Sequence, residues 1–549
     1  MPSNTPSAPK IEPGQKVGRE VEWQLACTDL GSVRRWLADH GTIDGLVLEP
    51  QPTQQIFDTY LDTDDWRIHR AGFALRIRSG SGKPQATLKS LHSASAEVAD
   101  RLEVSETLVN SKSESIGHSI GPVGARVQAV SGARALLPLF ELRTSRQRFA
   151  IRRADQPLQL GEIALDETVI SRPHGAPHTS MQRVEVEALT ETREPLQSLV
   201  QTLRSDCALE AAPDTKYSYS LKSVGLVPPA SAVSPTAVDA SMTLAEVAVA
   251  NIRRYWSDWQ RHEPGARLGD DPEELHDLRV AGRKLDATLR QFRRSLPESL
   301  LRIRPTLKTV FRALGSVRDL DVSMSELESF SRELPKSDRP AVEPLKLHLM
   351  SERGRARTQM LRVLDSIWVR QQLQEMTAAL AAPMAPAQQS SSELALHAAP
   401  TLIRRRYRKL RKRADRLTPK SSVEAYHEVR GQVKKLRYAL EAVAVMYGKP
   451  ADEMLRALRR WQEKLGVQQD ATVASVRLNA LANEPPQDIP SDTLFLMGRL
   501  AQHHAAQAAR ARKVYAKGYR KIRGRWKRLR MKFENSTAQD AAEPLDARS

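Results

Sequence analysis

One basic stretch of this chain is written twice, and a duplicated sequence restricts the fold to something that can be built twice. His276-Asp-Leu-Arg279-Val-Ala-Gly-Arg283-Lys284-Leu285 returns, 151 residues on, as His427-Glu-Val-Arg430-Gly-Gln-Val-Lys434-Lys435-Leu436. The same offset carries Leu314-Gly315-Ser-Val-Arg-Asp319 onto Leu465-Gly466-Val-Gln-Gln-Asp470, and Ile252-Arg253-Arg254 onto Ile403-Arg404-Arg405. On a helix, at about 100° per residue, His276, Arg279, Arg283 and Arg290 fall within roughly 60° of one another, and His427, Arg430, Lys434 and Arg437 within roughly 80°. Leu278, Leu285, Leu289 and Phe292 occupy another side, suited to a core. Each copy therefore presents a cationic row led by a histidine. A solvated charged face explains one such row. Two in register, with few carboxylates to pair them, point to a shared groove for a polyanion. Neither copy has a second His or Cys at ligand spacing, which argues against a metal.

The charge of the whole chain agrees with this reading. Of the net +19, residues 1–230 contribute −2 (26 Lys and Arg against 28 Asp and Glu) and residues 231–549 contribute +21 (58 against 37). The basic excess lies in the duplicated half, where its field attracts polyanions: nucleic acid, polyphosphate or anionic lipid. A chain of 549 residues exceeds one core and predicts three or four domains. No apolar run is long enough to span a bilayer. Residues 1–18 lack the apolar segment of a secretory signal and read as a disordered tail. Two cysteines, Cys27 and Cys207, make no disulfide scaffold and point to buried thiols in a reducing cytoplasm.

From Arg19 to about Leu221 the pattern changes to short alternating segments. Arg19-Glu20-Val21-Glu22-Trp23-Gln24-Leu25, Phe73-Ala-Leu75-Arg76-Ile77-Arg78, Arg101-Leu102-Glu103-Val104, Arg146-Gln-Arg148-Phe149, Glu162-Ile163-Ala-Leu165-Asp166 and Arg183-Val184-Glu185-Val186-Glu187 all have period two. That period predicts an antiparallel sheet or barrel, with helices over Asp29 to His40 and Pro195 to Arg204. Leu226 to Ala240 reads as a linker and Ala382 to Ser392 as a low-complexity connection between the repeats. A last helix is predicted from about Leu494 to Phe533, followed by a second disordered tail. The expected division is thus a sheet domain over 19–225, a linker over 226–242, repeats over 243–381 and 393–533 joined by 382–392, and a tail over 534–549.

The polar side of those strands is ionised, and like charges come two apart: Glu20/Glu22, Arg76/Arg78, Arg146/Arg148 and Glu185/Glu187. Residues two apart share a face at about 6.7 Å. Carboxylates at that spacing can hold hard cations, and arginines can grip successive phosphates with forked hydrogen bonds. Two architectures fit the alternation equally. Either the charged face lines a closed barrel, equipped for phosphoryl transfer, or it is the wet side of an open sheet.

Residues 19–221 resemble the CYTH, or triphosphate tunnel metalloenzyme, family. The resemblance rests on Glu20-Val-Glu22-Trp-Gln24, similar to its ExExK signature, and on Tyr60-Leu-Asp62-Thr63, Ala74-Leu75-Arg76-Ile77-Arg78, Thr87-Leu-Lys89, Arg101-Leu-Glu103, Glu162 to Asp166, Val184-Glu185-Val-Glu187 and Lys216, in the family's order. Residues 243–533 resemble the CHAD domain, a helical domain of two bundles implicated in polyphosphate binding. The resemblances imply an α+β multidomain chain: an antiparallel β-barrel tunnel, then an all-α duplicated bundle. They also imply metal ligands at Glu20, Glu22, Glu103, Asp166, Glu185 and Glu187 for Mg²⁺ or Mn²⁺. Phosphate ligands are implied at Arg76, Arg78, Lys89, Arg101, Arg146, Arg148 and Lys216, and a polyphosphate site at the two histidine-led rows. Three positions depart from the pattern. Gln24 stands for the signature lysine, Ser105 for a second glutamate of the Arg-x-Glu-x-Glu strand, with Glu106 on the opposite face, and Asp286 for a basic residue of the first repeat.

The expected function is metal-dependent hydrolysis of inorganic triphosphate or short polyphosphate, with the helical half holding the polyanion. The alternative, motivated by Gln24 and Ser105, is a polyphosphate binder of little or no turnover, located in the cytoplasm on polyphosphate granules. Nucleic acid ranks third, because no recognised motif accompanies the charge and aromatic residues are only 5% of the chain.

Overall fold

The computed structural model describes residues 15–542 except 81, 92–97, 133, 156–157, 191–192, 229–235, 383–392, 488 and 514. Residues 229–235 of the expected linker and all but the first residue of the inter-repeat connection lie outside the described residues. The chain divides into two compact units, Met1–Ala230 and Ser231–Ser549.

In the first unit the strands are β1 (Gln15–Cys27), β2 (Thr42–Ile43), β3 (Leu46–Pro50), β4 (Gln54–Asp62), β5 (Phe73–Ser79), β6 (Gln85–Ser90), β7 (Ala99–Thr107), β8 (Leu137–Arg153), β9 (Gln159–Ser171), β10 (Pro177–Ala188) and β11 (Glu210–Ala211). Their order is β8-β4-β5-β6-β7-β1-β10-β9, and β9 pairs back onto β8, which closes eight antiparallel strands into a barrel. Closure decides between the two architectures left open by the alternation. The first half of β1 pairs with β7 (Glu20 opposite Arg101) and its second half with β10 (Glu22 opposite Glu187). The strand begins at Gln15, so 15–18 are not a disordered tail. Pairing from Gln15 to Glu106 through Gly18 to Glu103 satisfies their backbone groups whatever the local composition.

Which face turns inward follows from what covers the other one. Trp23, Leu25, Ile163, Leu165, Val184 and Val186 are buried on the outside of β1, β9 and β10. The helices Leu30–Asp39 and Glu194–Asp206 cover them with Leu30, Val33, Leu37, Leu196, Leu199 and Leu203. Both helices were predicted. Shorter ones were not: Arg67–Arg70, Ser113–Gly117, Pro122–Ser131 and Lys216–Ser223. The last of these brings Tyr217 against Tyr60 and Phe140, with ring centroids 5.5 and 5.9 Å apart, and closes one end of the barrel with Leu142 and Leu221.

Among the described residues the second unit is all helical: Leu244–Leu268, Pro272–Gln291, Glu298–Leu301, Arg304–Glu333, Val342–Asp365 and Ile367–Ala381, then Ala395–Ala414, Val423–Glu441, Lys449–Asn483, Ser491–Lys513 and Tyr515–Ala542, besides two 3₁₀ turns. The duplication is visible in the packing. Ile252 and Ile403 are both fully buried, as are Leu285 and Leu436, and Leu314 and Leu465 nearly so. Thr243 forms a bridge with its own counterpart, Leu394, and the Ala395 N–H donates to the Met242 carbonyl at 2.8 Å. The two copies do not form two separate bundles. One core draws Trp256, Trp259 and Leu307 from the first copy together with Tyr407, Leu436, Trp461 and Phe533 from the second. A second core joins Leu327 and Leu345 to Leu496 and Leu500.

The basic C-terminal segment is described as Ser491–Lys513 and Tyr515–Ala542, with residue 514 between them outside the described residues. The second runs to Ala542, beyond the predicted start of the tail. Ala-Gln-Asp-Ala-Ala at 538–542 has good helix formers and no proline before Pro544, so nothing local stops the last turns.

Candidate functional site

Inside the barrel the register sets charges opposite one another. Glu22 on β1 lies across from Glu187 on β10, which lies across from Glu162 on β9. Like charges directly opposite repel, and a row of three carboxylates across three strands raises the energy of the barrel. Glu187 registers it: burial first, then the charges of Glu20, Glu162 and Glu22, push its carboxyl up to about 7.

The other carboxylates are held by cations from neighbouring strands. Lys89 on β6 reaches Glu20, and its Nζ donates to Glu22 Oε1 at 3.1 Å. Glu22 Oε1 also accepts from Arg101 and from Gln24 Nε2, the latter at 2.7 Å. Arg146 forks onto Asp166, with Nε to Oδ1 at 2.8 Å and Nη2 to Oδ2 at 2.6 Å, and Nη2 reaches Glu185 at 2.8 Å. Lys216, carried in by the helix that closes the barrel end, contacts Asp166 and lies 2.9 Å from Glu185. Burial would raise the Glu185 carboxyl, yet Lys216 and Arg146 hold it well below the usual carboxylate range. Arg78 forks onto Asp58 with two 2.8 Å bonds, and Arg76 stands 3.7 Å away. Against the upward push of burial those two arginines bring Asp58 down to about 2.

Of the thirteen barrel residues singled out in the sequence, eleven line this one cavity: Glu20, Glu22, Glu103, Glu185, Glu187, Arg76, Arg78, Lys89, Arg101, Arg146 and Lys216. Asp166 is on the inner face but fully buried behind Arg146 and Lys216, which stand between it and the cavity. Arg148 lies off it as well, 3.5 Å from Glu162. Gln24, Glu162, Tyr60, Gln85, Thr215 and Tyr217 join the lining. Glu162 was legible, since it shares a face with Asp166 four residues on. Asp58 was not, because its strand, Gln-Gln-Ile-Phe-Asp-Thr-Tyr, lacks a charged alternation.

Ser105, which departs from the family pattern, and its neighbour Glu106 find their places. Ser105 points to the same side as Glu103, donating to its Oε1 at 3.2 Å, and removes a carboxylate from the cavity. Glu106 is on the opposite face, where it accepts the N–H groups of Val123 (2.9 Å) and Gly124 (3.1 Å) at the start of Pro122–Ser131. It caps a helix.

The donors suit a hard divalent cation in chemistry, because Glu20, Glu22, Glu162 and Glu187 crowd one wall and a bound cation would relieve them. Among the described residues no three His, Cys, Asp or Glu side chains converge as a ready-made ligand set. Lys89, Arg101 and Arg148 draw the carboxylates toward themselves instead.

In the helical unit the two rows face each other. Burial first, then Arg430 and Arg283, push Lys434 down to about 8. Arg283 is the counterpart of Lys434 in the other copy, so equivalent positions stand within each other's field. Lys435 is lowered by burial and by Arg290 and Arg406, and Arg406 is a cation the sequence reading left out. His276, Arg279, Arg430, Lys434 and Arg437 are half-buried, while Arg283, Arg290 and His427 are exposed. Arg437 is the most occupied, bonded to Gln462 at 3.0 Å, 3.4 Å from Glu441 and stacked over Tyr438 at 4.5 Å. His427 Nδ1 sits 3.1 Å from Gln469 Oε1. Asp286 is taken up by Arg304 at 3.1 Å and Arg290 at 3.8 Å.

The duplicated glycines lie against the arginines of the two rows. A Cβ on Gly315 would stand 2.9 Å from Arg279 Nη1, and one on Gly466 3.4 Å from Arg430 Nη2. Each copy thus lays its arginine across a bare spot on the next helix. The paired aspartates Asp319 and Asp470 supply the nearby negative charge, with Asp470 3.8 Å from Arg430.

Comparison with known proteins gives the following. No curated protein matches the chain. Among solved structures, the CHAD domain from the plant Ricinus communis is 24% identical with a TM-score of 0.44, covering 52% of this chain and 94% of that one. PptA from Streptomyces chartreusis is 20% identical with a TM-score of 0.40, covering 51% and 100%. HpAC1 from Hippeastrum, described as having a dominant triphosphatase activity, is 16% identical with a TM-score of 0.28, covering 38% and 98%. The CYTH family profile matches residues 39–217 and the CHAD profile residues 250–479; these leave out β1, with Glu20 and Glu22, and the last two helices. By these matches the chain is a CYTH domain followed by a CHAD domain.

Proposed function

We propose that the barrel binds the linear phosphate chain of inorganic triphosphate or short polyphosphate and hydrolyses a phosphoanhydride bond with a divalent cation, while the helical unit holds polyphosphate in the groove between its two rows. The observation that carries the reading is the polarity of the cavity: three carboxylates in line on β1, β10 and β9 against cations from β5, β6, β8 and the closing helix. Glu20, Glu22, Glu162 and Glu187 would hold Mg²⁺ or Mn²⁺, which supplies charge neutralisation and an activated water. Arg76, Arg78, Lys89, Arg146 and Lys216 bind phosphate oxygens, and to do so they leave Asp58, Glu20, Glu22 and Glu185. Binding is therefore an exchange of ion partners within a space already paid for by folding. Tyr60 and Tyr217 close the far end and limit the length of chain that enters.

The test is release of orthophosphate from tripolyphosphate by the pure protein with each metal. Release at least a hundredfold above a Glu20→Ala, Glu22→Ala control is expected, and no difference from that control removes the enzyme reading. A second reading, binding without turnover, is favoured by Gln24 and Ser105, which take one cation and one carboxylate out of the cavity. Turnover near zero that rises sharply in Gln24→Lys would select it. For the groove, Arg279→Glu with Arg430→Glu is expected to abolish retention on immobilised polyphosphate while thermal unfolding is unchanged; unaltered retention overturns the assignment.

A further inference from the structure

We propose that the helical unit carries a second anion site, a cleft between Lys449–Asn483 and Tyr515–Ala542 that takes a linear inorganic phosphate chain. It stands on residues other than those of the groove, and its second wall lies beyond the CHAD match. From the first helix come Arg456, Arg460 and Lys464, four apart and so within about 80° of one another. From the second come Lys517 and Lys521, again four apart. The helices run antiparallel: Glu453 pairs with Arg525 and Arg528 at 2.5 and 3.2 Å, while Trp461 meets Gly518.

Those two ion pairs occupy Glu453 and close one end. Among the described residues Arg456, Arg460, Lys464, Lys517 and Lys521 have no ion-pair partner, and Glu463 is the one other acid in the lining. Two like-charged rows on packed helices repel. What holds the helices together is the apolar side beneath, where Trp461 stacks on Tyr519 at 5.4 Å and Ile522 and Leu529 are fully buried.

The cleft floor carries two glycines with different reasons. A Cβ on Gly518 would stand 2.3 Å from Trp461 Cδ1, so close packing requires that glycine. A Cβ on Gly524 would meet no atom within 4 Å, so packing does not. A mid-helix glycine costs helix propensity, and here its effect is to leave the cleft open. Under the floor the Trp461 indole N–H is buried with no hydrogen-bond partner, a further donor facing no acceptor. Apart from Glu463, every group here that seeks a partner is a donor or a cation.

The shape selects the ligand class. Arg456 to Lys464 spans about 12 Å of helix, a length for several linked phosphates and more than one compact anion needs. Arginine forks grip successive phosphates. Nucleic acid fits less well, because single strands are held by stacking on aromatic faces, and Trp461 and Tyr519 are 1% and 7% exposed.

Lysine footprinting on the full chain tests this residue by residue. The protein is acetylated with and without polyphosphate, and Lys464, Lys517, Lys521 and the exposed controls Lys83 and Lys420 are quantified by mass spectrometry. Protection of the three cleft lysines by at least fivefold, with the controls unchanged, is expected. That protection should disappear in Arg456→Glu with Arg460→Glu and survive in Arg279→Glu with Arg430→Glu. No protection of the three lysines at a concentration that protects Lys434 overturns the proposal, and the groove then stands alone. Stronger protection by a single-stranded oligonucleotide at matched phosphate concentration overturns the ligand class.

Discussion

Lys434 shows how a single residue reports its surroundings. Its ammonium is lowered to about 8 by burial and by Arg430 and Arg283, against an ordinary value of 10.5. Between those two values the unfolded chain keeps a proton that the folded chain has lost, so stability rises with pH across that window. A bound polyanion has the opposite effect: it returns the proton to Lys434. Polyphosphate affinity is therefore expected to fall above pH 8, by up to about tenfold per pH unit. Calorimetric titrations from pH 7 to 9.5 should show this, and Lys434→Met should flatten the dependence. An unchanged slope in the variant would mean that Lys434 does not face the ligand. Arg76, Arg78, Lys89, Arg101, Arg146, Arg148 and Lys216 of the barrel behave differently, because each has a carboxylate within reach.

At the scale of elements, the duplicated glycines separate folding from binding. In Gly315→Ala the new methyl must move Arg279, the flexible end of a side chain, so the helix tolerates it and gains the roughly 1 kcal/mol by which alanine exceeds glycine in helix propensity. Polyphosphate affinity is expected to fall threefold or more with no loss of melting temperature. Gly466→Ala makes only an ordinary contact with Arg430 at 3.4 Å, and its affinity should change less than twofold. Equal effects in the two variants would count against the account of the bare spots. Glu106 supplies a second element-level case. Its carboxylate, on the outer face of β7, holds two N–H groups at the start of Pro122–Ser131. Glu106→Ala leaves both buried and unpaired and should cost about 2 kcal/mol in thermal or urea unfolding. Retention on polyphosphate by the helical unit should be unaffected.

For the molecule as a whole, the copies of the duplication are not independent bodies. Both cores of the helical unit take residues from each copy, and the copies also meet at Thr243 and Leu394. A fragment spanning 231–381 alone would expose Trp256, Leu285 and Leu307 on a half-built core. It is expected to show no cooperative thermal transition by circular dichroism, whereas 231–549 should show one. A cooperative transition in the shorter fragment would show that a single repeat suffices. Among the described residues no helix is long and apolar enough to cross a membrane.

What the sequence determined by itself was periodic or repeated. The offset of 151 exposed the duplication, the period of two exposed the strands, and the like-charged dyads marked seven side chains that line one cavity. Such patterns are local: a side chain's face is set by its neighbours two, three or four residues away. Tertiary structure alone decided the rest. Closure of β9 onto β8 turned a charged face into a cavity lining, and register set Glu22, Glu187 and Glu162 in line. The chain's return placed Asp58 against Arg76 and Arg78, and Arg283 opposite Lys434. No local pattern encodes these pairs, because register and the meeting of distant helices depend on how all the apolar surfaces are buried together.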